Sequence, residues 1–133
     1  MAVVLVVNDD GDLLDTYEAV IAAMGHEPVT KLTIDSGPET VREVGADALV
    51  VDLQAAGEGQ FGLRIIEDLR SDPEMRNFPI ILCSGAAESI HALRARLDAL
   101  NVPVVLKPFA VEVLEERLQV ALGSSGEGRS ATP

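Results

Sequence analysis

Four apolar runs in this chain each stop at polar residues. Val3-Val4-Leu5-Val6-Val7 runs into Asn8-Asp9-Asp10, and Ala48-Leu49-Val50-Val51 into Asp52. Ile80-Ile81-Leu82-Cys83 ends at Ser84, and Val104-Val105-Leu106 at Lys107. Brought together, the carboxylates repel: at ~4 Å and an effective dielectric of ~20, each pair costs about 4 kcal/mol. Such a site keeps a proton or holds a cation. With no His or Cys in the set, the cation is a hard one of the magnesium type, which takes one or two carboxylates and completes its shell with water and phosphate. Lys107 adds a mobile positive charge suited to a phosphoryl group, and Ser84 adds a hydroxyl donor on the same rim. Nucleophile, metal, cation and hydrogen-bond donor together are what phosphoryl transfer onto a carboxylate requires. Singly, each residue also has a structural reading. A strand-end Asp forms turns or caps helices, and Asp9 or Asp10 can serve the first helix in that way.

The elements that must position these residues follow from periodicity. Ala2 to Val7 lacks polar alternation, as expected of a strand covered on both faces. Asp12 offers a cap, and Leu13, Leu14, Tyr17, Val20, Ile21 and Met24 recur at helical spacing before Gly25 stops the helix. Pro28 to Leu32 is a weak strand whose Pro and Lys suit a sheet edge. Ser36-Gly37-Pro38 opens a short helix through Val44, with Gly45 at its end. Strand three covers Ala48 to Val51, and residues 53–60 form an Ala/Gly-rich loop. Phe61 to Arg70 reads as a helix, Ile80 to Cys83 as a strand, Ala87 to Leu100 as a helix and Val102 to Leu106 as a strand. Val111, Val113, Leu114, Leu118, Ala121 and Leu122 mark a last helix.

This β-α alternation, five times over, predicts an α/β flavodoxin-like (βα)5 sandwich with a parallel sheet in the order 2-1-3-4-5. The strand order reverses between strands one and three, the crevice where such folds collect ligands, and Asp9 is expected to face Asp52 there. The domain is expected to span residues 1–122, with the Ser/Gly-rich residues 123–133 a disordered tail or the start of a linker.

At 133 residues the chain is long enough for one self-sufficient core. A net charge of -12 and 3% aromatic residues argue against binding a phosphate backbone or stacking bases. One cysteine excludes an internal disulfide and any cysteine-based metal cluster, and Cys83, inside a strand run, reads as a small buried apolar residue. The first apolar run is too short for a leader or membrane span, so a cytoplasmic location and no membrane partner are the expectation.

The pieces Val6-Val7-Asn8-Asp9-Asp10, Leu49-Val50-Val51-Asp52, Ser84-Gly85 and Lys107-Pro108-Phe109 resemble a two-component response-regulator receiver domain in order and spacing. Leu69-Arg70-Ser71-Asp72-Pro73 followed by Phe78-Pro79-Ile80-Ile81 fits the same family, and the resemblance covers residues 2–122. It implies that Asp52 accepts a phosphoryl group from a histidine kinase or phosphotransfer protein. It further implies that Mg²⁺ is held by Asp9, Asp52 and the backbone carbonyl of Gln54, that Ser84 turns toward the phosphoryl group, that Lys107 pairs with it, and that the Lys107–Pro108 bond is cis. The family's acidic pair aligns with Asn8 and Asp9, so one formal charge is missing, and Asn8 and Asp10 enter as further candidate ligands. Residues 54–62 replace the usual Met-Pro and Asp-Gly signature with a longer stretch, and Val104 stands where many receivers carry an aromatic switch residue.

Two other readings compete. A receiver-like module that docks partners without phosphorylation is favoured by Asn8 and the altered loop, and opposed by Asp9, Asp52, Ser84 and Lys107. An aspartyl phosphatase usually carries a second Asp two residues after the nucleophile, where this chain has Gln54. No turnover of an external substrate is expected.

Overall fold

The computed structural model describes residues 1–52, 61–85, 87–107 and 110–130, with the side chains of 87, 89 and 124–130 excepted. Strands and helices alternate along the chain: β1 (Val3–Val7), α1 (Gly11–Ala23), β2 (Glu27–Lys31), α2 (Gly37–Val44), β3 (Ala48–Asp52), α3 (Phe61–Ser71), β4 (Ile80–Ser84), α4 (Ala87–Ala99), β5 (Val104–Leu106) and α5 (Val111–Ser130). The five strands form one parallel sheet in the order β2-β1-β3-β4-β5, as the sequence predicts.

The order follows from what each strand can bury. All five residues of β3 and of β4 are buried, so these strands take central places. β2 is exposed at both ends and carries Pro28, and it sits at the edge. Side-chain alternation divides the core into two layers. Val4, Val6, Val50 and Ile81 pack under α1 and α5 with Tyr17, Ile21, Leu114 and Leu118. Leu5, Val7, Val51 and Leu82 pack against α2, α3 and α4 with Val41, Ile66, Leu69 and Leu97. Burying a side chain of this kind gains about 1.5–3 kcal/mol, so the two layers supply the main drive for the three-layer sandwich.

Helix ends differ from expectation at two places. Of the candidates Asp9, Asp10 and Asp12, the cap of α1 is Asp10 and not Asp12: its carboxylate accepts the Asp12 and Leu13 N–H groups at 2.9 and 3.3 Å. Asp10 is extended, as a cap must be, whereas Asp12 already lies inside the first turn. Helix α5 continues past Gly123 to Ser130, because a helix anchored by Leu114, Leu118 and Leu122 needs no new nucleus to extend. Ser36 caps α2, and Gly45 ends it at φ 65, where a side chain would be strained.

At the N-terminal end of the sheet, Arg70 stitches two connections together. Its guanidinium donates to the carbonyls of Leu100 and Phe78, both at 2.7 Å, and of Asn101 at 3.5 Å. These carbonyls belong to the segments that feed β5 and β4, so Arg70 fixes the entry of both strands.

Candidate functional site

Strand register assembles the site. Val7 pairs with Val51, so the next residues along β1 and β3, Asn8 and Asp52, lie side by side at the carboxyl end of the sheet. A hydrogen bond from Asn8 N–H to the Lys31 carbonyl (3.2 Å) holds Asn8 in line with its strand. Its side-chain amide donates a long hydrogen bond, 3.5 Å, to Asp52 Oδ2, while its Oδ1 accepts the Asp10 N–H at 2.9 Å. One amide thus links the Asp52 carboxylate to the cap of α1.

Lys107 arrives from β5. Its backbone N–H donates to the Ser84 carbonyl at 2.8 Å, which prolongs the β4–β5 ladder and aims the side chain across the sheet. Its ammonium forms an ion pair with the same Asp52 Oδ2 that Asn8 approaches. The pair is largely withdrawn from solvent, which makes it less screened than a surface pair. Among the described residues, Asn8, Asp52 and Ser84 are the buried polar ones, and all three stand at strand ends of this edge.

The structure therefore gathers Asp52, Lys107 and Asn8 through direct contacts and Ser84 through the backbone. Three expectations change. Asn8, not Asp9, stands across from Asp52, because the register brings the residue directly after Val7 into line and leaves Asp9 exposed beyond the strand. Ser84 is not on an open rim but buried, since it is the last residue of a central strand. Asp10, a candidate ligand, spends its carboxylate on the first turn of α1. Among the described residues no group of three or more His, Cys, Asp and Glu side chains is gathered in one place. The Gln54 carbonyl, the loop of residues 53–60 and the Lys107–Pro108 bond lie outside the described residues.

One neighbour was not legible as part of the site. Register sets Cys83 beside Asp52, and Tyr17 of α1 packs in the same core layer as Cys83, where each weighs on the other's protonation. Burial pushes the thiol up to about 11, with Tyr17 and the Lys107 charge pulling it down and the Asp52 charge pushing it up. Burial, then Cys83 and then the Asp52 charge hold the Tyr17 phenol well above its ordinary value. Both groups stay protonated and neutral at physiological pH. The available signal was the hydroxyl of Tyr17 amid an otherwise apolar helical stripe.

Chemically, the edge presents a nearly buried carboxylate with two donors on one oxygen and a hydroxyl-bearing strand end nearby. A carboxylate held in one orientation next to a cation can serve as a nucleophile.

Known proteins share this arrangement of chain and fold. No protein-family model matches the chain. The chemotaxis protein CheY1 of Helicobacter pylori is 30% identical over 128 residues, covering 91% of this chain and 97% of that protein. A CheY homolog of Campylobacter jejuni is 29% identical over 132 residues, covering 93% and 95%. The chemotaxis response regulator CheY4 of Vibrio cholerae superposes with a TM-score of 0.71 over 91% of this chain and 98% of that one; at 21% identity this likeness is one of fold.

Proposed function

This chain belongs to the CheY-like family of response-regulator receiver domains, the phospho-acceptor signalling domains of two-component systems, and from that premise we propose that Asp52 is its acceptor. The observation that carries the reading is the convergence of Lys107 and Asn8 on one oxygen of a carboxylate buried at the tip of a central strand. Removing a carboxylate from water is costly, and a fold retains one at such a place when its donors compensate it.

The phosphoryl donor is a phosphohistidine on a histidine kinase or phosphotransfer protein. A carboxylate oxygen of Asp52 attacks phosphorus, the P–N bond breaks, and its electron pair goes to the imidazole nitrogen, which then takes a proton. Hydrolysis of the aspartyl phosphate returns the carboxylate and inorganic phosphate. Lys107, already paired with Asp52, moves its charge onto the phosphoryl oxygens, and Ser84 donates its hydroxyl to the same group. Asn8 is a positioning residue, holding Asp52 against the cap of α1.

The donor chemistry fits a magnesium ion. Asp9 and Asp52 offer two carboxylates, a number this ion commonly takes, leaving its other positions to water and phosphate. Asp9 is exposed and free of capping duty, whereas Asp10 holds α1 and Asn8 accepts the Asp10 N–H, so Asp9 and Asp52 are the ligands we assign, with the Gln54 carbonyl as the family's third. When bound, the ion neutralises charge developing on the phosphoryl oxygens.

We place the receiver core at residues 1–122, Leu122 being the last buried side chain among the described residues, and its output is a change in protein–protein contacts rather than turnover of an external substrate. Intact mass after incubation with Mg²⁺ and acetyl phosphate tests the reading. A gain of one phosphoryl group, lost in Asp52→Asn and with a chelator, is the expected result. No gain from acetyl phosphate or from a phosphorylated histidine kinase, with the protein folded, overturns it in favour of a phosphorylation-independent docking module, the reading that Asn8 in the acidic pair favours.

A further inference from the structure

At the end of the sheet opposite Asp52, a cavity of about 600 Å³ opens where the segments feeding β4 and β5 meet the middle of α5. Its size falls in the range of small-molecule sites, ~300–1,000 Å³. Phe78, Pro79, Leu100, Pro103 and Val120 make its wall largely apolar, and Val120 is left 60% exposed. The charge on this wall runs against the composition of the chain. Asp and Glu outnumber Lys and Arg by 22 to 10 overall, yet among the described residues Arg70, Arg76 and Arg117 line the cavity and no carboxylate does.

The three arginines have different duties. Arg70 is spent on backbone carbonyls and fixes the cavity's shape. Arg76 and Arg117 are exposed and make no ion pair among the described residues. Two uncommitted guanidiniums beside an apolar hollow are a recognition pattern for one ligand chemistry, because the planar fork of arginine matches a carboxylate or phosphate. We infer that this cavity binds a small amphiphilic anion, its apolar body against Phe78, Leu100 and Val120 and its carboxylate or phosphate on Arg76 and Arg117. A concave hollow of this volume suits a small molecule rather than an extended acidic peptide, which needs a long groove. The site is independent of the chemistry assigned to Asp52.

Amide chemical shifts of the whole isotope-labelled chain, titrated with octanoate, octyl phosphate and octanol, test the inference. Saturable shifts at Asn77, Leu100, Asn101 and Val120 are expected with either anion, and binding of octanol is expected to be at least about tenfold weaker. Either anion binding alone supports the site and identifies the head group. The surface variant Arg76→Gln/Arg117→Gln should lose at least about tenfold in affinity for the anion while keeping its spectrum and its phosphorylation at Asp52. Octanol binding as tightly as the anions, or unchanged octanoate affinity in the double variant, overturns the inference and leaves an apolar hollow. Shifts of the same amides with protein concentration alone also overturn it, since a second copy then occupies the cavity.

Discussion

The two ends of the sheet spend their polar groups differently. At the N-terminal end, Arg70 donates to three backbone carbonyls and so satisfies groups that the fold itself leaves open. At the carboxyl end, Asn8 and Lys107 both meet Asp52 side chain to side chain, with the Asn8 oxygen alone turned to a backbone N–H. A polar group bound to backbone carries the fold, because losing it leaves a carbonyl desolvated and unpaired. Polar groups bound to each other can be turned over to a ligand, since their partners travel with them. Stability and chemistry are thereby placed at opposite edges of one sheet.

The largest stability effect is accordingly expected far from Asp52. Arg70→Ala should lower the unfolding free energy by about 3 kcal/mol, read as a lower urea midpoint with unchanged slope. A loss under about 1 kcal/mol would break the comparison, since Arg70 would then be no keystone.

Within the carboxyl edge the same logic separates two neighbouring carboxylates. Asp10 serves backbone N–H groups, so Asp10→Ala should cost about 1 kcal/mol. Asp52 serves side chains, and Lys107 can reach water, so Asp52→Asn should cost less than about 0.5 kcal/mol despite the deeper burial of Asp52. Urea unfolding of the two variants in parallel checks the order, and a reversed order would mean that Asp52 is a structural anchor.

The smallest effect is a drift with pH from the layer under Asp52. Folded Cys83 holds its proton to about 11, against an ordinary 9.0 when unfolded. The folded state therefore binds more protons across that window. The stabilising difference is complete below about pH 9 and is lost as pH rises toward 11, with buried Tyr17 continuing the same trend above it. Urea midpoints from neutral pH to about 10.5 should fall in the parent and fall less steeply in Cys83→Ala. Equal slopes would remove Cys83 from the account.

Much of this was legible in the chain. The apolar runs, the Pro and Lys of β2, and the Ser36 and Gly45 boundaries of α2 led to the strand order and most helix positions, because burial on both faces and helix capping leave local marks. Strand-end polar residues marked the site for the same reason. What did not show was which member of Asn8-Asp9-Asp10 takes which duty. All three read alike as polar residues after a strand, and their division among Asp52 contact, exposed carboxylate and helix cap depends on a register with β3 that no local pattern carries. Arg70 was equally silent: its helical position is ordinary, and its carbonyl partners come from Phe78 and from Leu100 and Asn101 on α4's exit.

The sequence by itself determined the alternation of five strands and five helices, the edge placement of β2 and the set of strand ends where chemistry could gather. Hydrophobic period, turn residues and capping groups act within a few residues, so the chain carries them openly. Only the tertiary structure decided that Asn8 rather than Asp9 meets Asp52, that Tyr17 packs with Cys83, and that three arginines gather at the hollow at the far edge. Those outcomes rest on strand register and on packing between distant segments, where a shift of one residue sends a side chain to the opposite face.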